Sequence, residues 1–129
     1  MKDGYLLDTN IVIALFAGEG SVVNRFSKVN FAALSAIVYG ELLQGALYSS
    51  RIAQNVSRLD VLRQSVPLLS CDEGTAAAYA DIGVQLRRQG RPIPDNDVWI
   101  AATARQHSLT LVTRDRHFSH VSGIRTEKW

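Results

Sequence analysis

One cysteine in 129 residues, Cys71, leaves no internal disulfide to build a fold on, so nothing points to an oxidising compartment. Long apolar runs are missing as well. The longest, Ile11 to Ala17, falls far short of the ~20 residues that a membrane-spanning helix needs. Lys2 precedes an apolar stretch in the manner of an export leader, but Asp8, Thr9 and Asn10 interrupt it and no small-residue cleavage pattern follows. The expected compartment is therefore the cytoplasm, with no membrane partner. Charge of one sign is also lacking: 14 Lys+Arg against 12 Asp+Glu leave +2, too mild to announce a polyanionic partner by itself. With no internal repeat, low-complexity tract or long linker, residues 1–129 read as a single domain. A domain of this size buries roughly two-thirds of its unfolded surface and needs no stapling.

What the chain does contain is an alternation of short apolar runs and longer helical patterns. Gly4–Leu7 reads as a buried strand, followed by a turn at Asp8-Thr9-Asn10 and a helix from Ile11 that Gly18-Glu19-Gly20 ends. Asn30–Leu34 reads as a second strand. Ser35 then opens a helix through about Tyr48, and another runs from about Arg51 to Gln64. In that helix Ile52, Val56, Leu59 and Leu62 form an apolar stripe at helical spacing, more suited to core than to interface. Val66–Leu69 reads as a strand, Ser70-Cys71-Asp72-Glu73 as a capping box, and Thr75–Gln89 as an alanine-rich helix closed by Gly90. Pro92 and Pro94 lead stiffly into a helix over Asp95–His107. A strand at Thr110–Thr113, a short turn and a last strand near Ile124 finish the chain. Strands that alternate with helices pair in parallel through crossovers, so the expected class is α/β with a small central parallel sheet flanked by helices.

Ligands of open α/β sheets bind beyond the carboxyl ends of the strands. Asp8 directly follows the first strand, and Asp115 comes two residues after Thr113. Asp97 lies in the first turn of its helix, on the face of Ile100, Ala101 and Ala104, which should place it at the mouth of the core. Glu41 shares a helix with Val38, Tyr39, Leu42 and Leu43. Gly40 and Gly45 flank it, each costing about 1 kcal/mol against alanine, which suggests a close approach to that face. Taken singly, each acid has an ordinary explanation: a helix cap, a first-turn charge, a turn or a solvated glutamate.

Taken together and in order, they do not. LLDTNI at Leu6–Ile11, YGELLQG at Tyr39–Gly45, PDNDVWIAATA at Pro94–Ala104 and LVTRDRHF at Leu111–Phe118 resemble the PIN-domain family, and within it the VapC-like toxins of toxin–antitoxin pairs. The similarity spans nearly the whole chain. It implies a PIN-like fold and a metal-dependent endoribonuclease, the toxin of a type II pair, that acts on tRNA or another structured RNA and leaves 5′-phosphate and 3′-hydroxyl ends. It also implies a cognate VapB-like antitoxin bound near the helices that follow Glu41, and a homodimer or toxin–antitoxin hetero-oligomer. Carried over by position, Asp8, Glu41, Asp97 and Asp115 match the acidic quartet, and Asn10 and Thr113 match supporting polar positions. Asp95 is an extra acid two residues before Asp97; Asp97 is the better match because it directly precedes Val98-Trp99-Ile100-Ala101-Ala102.

The chemistry agrees with that assignment. Carboxylates alone repel a phosphodiester, whereas carboxylates around a hard divalent cation, Mg²⁺ or Mn²⁺, attract one. Asp8, Asp97 and Asp115 are the expected ligands, with Glu41 a ligand or a partner of the attacking water. Setting the quartet aside leaves 14 basic against 8 acidic residues, and Arg114 and Arg116 bracket Asp115, where RNA phosphate would lie. Three other readings compete. His117-x-x-His120 resembles half a zinc site but has no second His/Cys pair. Histidines could instead drive attack by the RNA's own 2′-hydroxyl, without metal. A non-catalytic RNA- or protein-binding module, or a PIN nuclease of RNA processing, would share the fold.

Overall fold

A short extended segment cannot satisfy its own backbone groups, so each strand of two to four residues in this chain needs a partner on one side or both. The computed structural model describes residues 4–129, which leaves Lys2 outside it. Five strands, β1 (Tyr5–Leu7), β2 (Ala32–Ser35), β3 (Leu68–Leu69), β4 (Thr110–Val112) and β5 (Arg125–Glu127), form one sheet in the order β3-β2-β1-β4-β5. Every pairing is parallel, with Leu6 opposite Ala33 on one side and Leu111 on the other. Six helices connect and flank the strands: α1 (Thr9–Phe16), α2 (Gly20–Lys28), α3 (Ala36–Leu47), α4 (Ile52–Ser65), α5 (Glu73–Arg88) and α6 (Asp95–Gln106). A 3₁₀ turn at Arg116–His120 precedes β5. The expected α/β class with a small parallel sheet is the one observed.

One hydrophobic cluster runs from β1 to the 3₁₀ turn, with Leu6, Leu7, Ile11, Leu34, Ile82, Ile100, Leu111 and Phe118 at its centre. The helices pack on one another in pairs, α5 on α6 and α3 on α4. Ile100, Ala101 and Ala104 of α6 are fully buried, which sets Asp97 at the edge of the core as its spacing implies. No helix among the described residues is long and apolar enough to cross a membrane.

Several local readings need correction. α1 begins at Thr9, two residues before Ile11, because Asp8 acts as its N-cap and accepts the Thr9 N–H at 2.8 Å. Helix α2 was not foreseen between the glycines and the second strand. It has no side-chain cap and buries only Val22 fully, although Val22 and Phe26 at i and i+4 were a usable signal. The capping box of α5 uses Asp72 and Thr75 rather than Ser70 and Glu73, with each side chain bonded to the other's backbone N–H. In α4 the stripe splits. Leu59 and Leu62 are core, Val56 is half-buried and Ile52 is exposed, so burial along the stripe increases toward the C-terminal end of α4.

Candidate active site

The sheet order makes the chain leave β1 for β2 and β3 on one side, then return to β4 and β5 on the other. The crevice between β1 and β4 at their carboxyl ends is therefore a topological switch point, where α/β folds bind ligands. Asp8 leaves β1 into this crevice, and Thr113 and Asp115 leave β4 into it. The ends are laced together. The Thr113 hydroxyl donates to Oδ2 of Asp8 at 2.7 Å and accepts the Asp115 N–H at 3.0 Å. The Asn10 amide donates to Oδ2 of Asp8, and its carbonyl oxygen accepts the Arg114 N–H. Asn10 and Thr113 thus join β1 to the segment after β4 through the acids themselves.

Glu41 and Asp97 come from the neighbouring helices. Oε1 of Glu41 accepts the Thr9 hydroxyl at 2.5 Å and Oε2 accepts the Asn96 amide at 2.7 Å, so both carboxylate oxygens are held. Thr9 and Asn96 were not singled out from the sequence, although both stand inside the motifs that carry Asp8 and Asp97. Asp95 points elsewhere and accepts the Tyr79 hydroxyl at 3.0 Å. Among the described residues nothing lies within 4 Å of where a β-carbon would stand on Gly40 or Gly45, so no part of the chain itself approaches that face closely. Gly45 lines an open groove of about 400 Å³ that begins at Thr9 and Glu41 and continues along Ile13, Phe16, Leu42 and Leu59.

The histidines part company. His120 faces the guanidinium of Arg91, whereas Nδ1 of His117 lies 3.2 Å from Oδ2 of Asp97 and 3.2 Å from Oδ1 of Asp115. Among the described residues, ligand atoms of Asp97, Asp115 and His117 all fall within 4.8 Å of one another, the one compact group of this kind. Sequence reasoning set His117 aside as half of an incomplete zinc pair; its spacing of two from Asp115 was the signal.

The electrostatics of the crevice are unbalanced. Burial raises the Asp8 carboxyl above its ordinary value of 3.8, with repulsion from Glu41 and Asp115 adding to it and hydrogen bonds from Thr113 and Thr9 opposing it. Burial likewise raises Asp97, helped by Asp8 and Asp115 and opposed by His117. Among the described residues, no lysine or arginine pairs with any of the four acids. Two carboxylates ~5 Å apart repel by about 3 kcal/mol at an effective dielectric near 20. Two buried carboxylates, Asp8 and Asp97, and two half-buried ones, Glu41 and Asp115, left unpaired by lysine or arginine among the described residues, are a donor set that fits a hard divalent ion.

Arg114 and Arg116 differ sharply. The Arg114 guanidinium grips Glu19 through both carboxylate oxygens, at 3.0 and 3.1 Å, and its Nε donates to the Trp129 carbonyl. That ion pair holds Glu19 below its usual carboxylate range. Arg116 is exposed and makes no side-chain hydrogen bond or ion pair among the described residues. Of the bracketing pair, Arg114 is thus engaged by Glu19 and Arg116 is not engaged among the described residues.

The PIN domain family description matches residues 5–124. This chain belongs to the PIN domain family. Its PIN domain is similar to Ribonuclease VapC2 of Haemophilus influenzae, 34% identical over 128 residues with 97% of each chain covered. It is also similar to the tRNA(fMet)-specific endonuclease VapC of Shigella flexneri, 32% identical over 128 residues with 97% of each covered. Among solved PIN-domain structures, VapBC2 from Rickettsia felis bound to a DNA fragment from their promoter matches with a TM-score of 0.91, 30% identity and 98% of each chain covered.

Proposed function

We propose that this protein is a Mg²⁺- or Mn²⁺-dependent endoribonuclease of the VapC kind, the toxin of a type II toxin–antitoxin pair acting in the cytoplasm on tRNA or another structured RNA. The observation that carries the reading is the convergence of Asp8, Glu41, Asp97 and Asp115 at the switch point, where among the described residues no lysine or arginine pairs with them and His117 faces Asp97 and Asp115. The VapC relatives supply its context, since one of them is named for cleavage of a tRNA.

Asp8, Asp97 and Asp115 are the residues that would hold the ion, directly or through water. When bound, the ion supplies Lewis acidity at the scissile phosphate and makes an attacking water easier to deprotonate. Thr113 fixes the relative placement of Asp8 and Asp115, because one hydroxyl serves both. Glu41, clamped by Thr9 and Asn96, either completes the ligand set or orients the attacking water from a fixed rotamer. Arg116 offers its charge to the RNA backbone. The groove along Ile13, Phe16, Leu42 and Leu59 opens at Glu41, and its apolar lining suits a segment of a VapB-like antitoxin that would block the site. Relatives solved as VapBC complexes support that partner.

The test is cleavage of total and transfer RNA by the purified, antitoxin-free protein in Mg²⁺ or Mn²⁺, with EDTA in parallel and the ends mapped. Discrete cuts with 5′-phosphate ends that EDTA abolishes are expected. Cleavage that survives EDTA and leaves cyclic phosphates would transfer the chemistry to the histidines, and RNA binding without cleavage would favour a non-catalytic module. For the contact to RNA, Arg116→Ala should weaken binding and reduce the slope of log affinity against log salt by about 0.7–0.9, the share of one phosphate contact. Arg114→Ala, whose guanidinium already serves Glu19, should leave that slope in place. Equal salt slopes for wild type and Arg116→Ala would remove Arg116 from the interface.

A further inference from the structure

We infer that His117 is a nitrogen ligand of the divalent ion, so that the centre is a mixed carboxylate–imidazole site that favours Mn²⁺ over Mg²⁺. The inference rests on the metal-centre reading above and concerns what this chain adds to it. Oxygen ligands alone suit Mg²⁺, whereas imidazole suits later and softer first-row ions and raises affinity for Mn²⁺ more than for Mg²⁺.

Three features of the geometry lead there. Nδ1 lies 3.2 Å from a carboxylate oxygen of Asp97 and 3.2 Å from one of Asp115. Ligand atoms in adjacent positions of an octahedral ion, with bonds of about 2.1 Å, are about 3.0 Å apart, so the nitrogen already stands at a neighbouring-ligand separation from both acids. Secondly, the backbone commits the residue to this place. Oδ1 of Asp115 caps the 3₁₀ turn by accepting the His117 N–H at 2.9 Å, and the next residue, Phe118, is buried with only 1% exposed. The ring therefore needs no rearrangement to offer its near nitrogen. Thirdly, Nε2 has no partner among the described residues, so no competing contact draws the ring elsewhere. His120, three residues on, shows the contrast: its ring is occupied by Arg91 and stands apart from the acids.

The experiment loads the full-length protein and His117→Gln with Mn²⁺ and records pulsed electron paramagnetic resonance, with calorimetric titration of Mn²⁺ and Mg²⁺ alongside. The wild type should show the nitrogen coupling of a directly bound imidazole, and the variant should lack it. Mn²⁺ affinity should fall about tenfold or more in the variant while Mg²⁺ affinity changes by less than about threefold. His117 is half-exposed, so the variant should keep its melting temperature in the absence of metal. His117→Ala repeats the test without a side-chain amide, in case glutamine supplies an oxygen ligand. Mn²⁺ bound with no directly bound nitrogen in the wild type would overturn the inference and leave the metal centre standing, with His117 only steadying the acids. No Mn²⁺ binding by the wild type would overturn the metal centre itself.

Discussion

Asp97→Asn is expected to abolish RNA cleavage, by at least about a hundredfold, while the metal-free protein melts at the same temperature or higher. On the proposed metal-centre reading, the activity loss follows from removing a ligand oxygen at the point where phosphate charge must be neutralised. That stabilisation amounts to several kcal/mol in comparable sites, with each 1.4 kcal/mol worth about tenfold in rate. The stability result follows from the electrostatics. Burial, with repulsion from Asp8 and Asp115, raises the Asp97 carboxyl above 3.8, so ionisation there costs the folded state more than the unfolded chain. The sign is therefore the reverse of a salt-bridged aspartate. The penalty is complete above the raised folded value, shrinks as pH falls through it, and vanishes below the unfolded value. Asparagine removes the penalty at neutral pH and, with both a donor and an acceptor, can still hydrogen-bond the His117 ring in either tautomer. Melting temperatures of metal-free wild type and variant between pH 8 and 4 check this, with the gap closing toward the acid end. A marked loss of metal-free stability at neutral pH would make Asp97 a structural first-turn residue of α6 instead.

Phe118→Ala is expected to cost about 3–5 kcal/mol, the usual range for deleting a buried phenylalanine side chain. Phe118 is the largest of the fully buried side chains and the anchor of the 3₁₀ turn that carries Arg116 and His117. Against a total stability of roughly 5–15 kcal/mol for a domain, that is a large fraction, and the melting temperature should fall by on the order of 10–25 °C. The site should suffer with the fold, because Asp115 and His117 owe their positions to a turn that Phe118 and Val121 pin to the core. Phe118→Leu keeps an apolar side chain in the cavity and should recover much of both losses. Thermal denaturation with and without Mn²⁺ separates the two effects. A Phe118→Ala protein that melts like wild type would show that the turn is anchored elsewhere.

What the amino-acid order determined by itself was everything decided within a few residues. Buried pairs such as Leu6-Leu7 and Leu111-Val112, alternating with helices that Ser35 and Asp72 cap, dictate parallel strands and crossovers. They also dictate that acids placed just after strands, or in first turns, come to the carboxyl edge of the sheet. The tertiary structure alone decided the pairings between distant positions. Thr113 serves Asp8 from 105 residues away, Asn96 holds Glu41 across 55, and Glu19 claims Arg114 across 95. Helix α2 belongs with these, because it is held by packing on α1 rather than by a cap of its own. So does the division between His117 and His120, three residues apart yet turned to Asp97 and to Arg91. The reason is physical: propensity, caps and periodicity act over one or two turns. Which side chains meet at the switch point follows from the strand order β3-β2-β1-β4-β5, which the buried contacts of the whole chain select together.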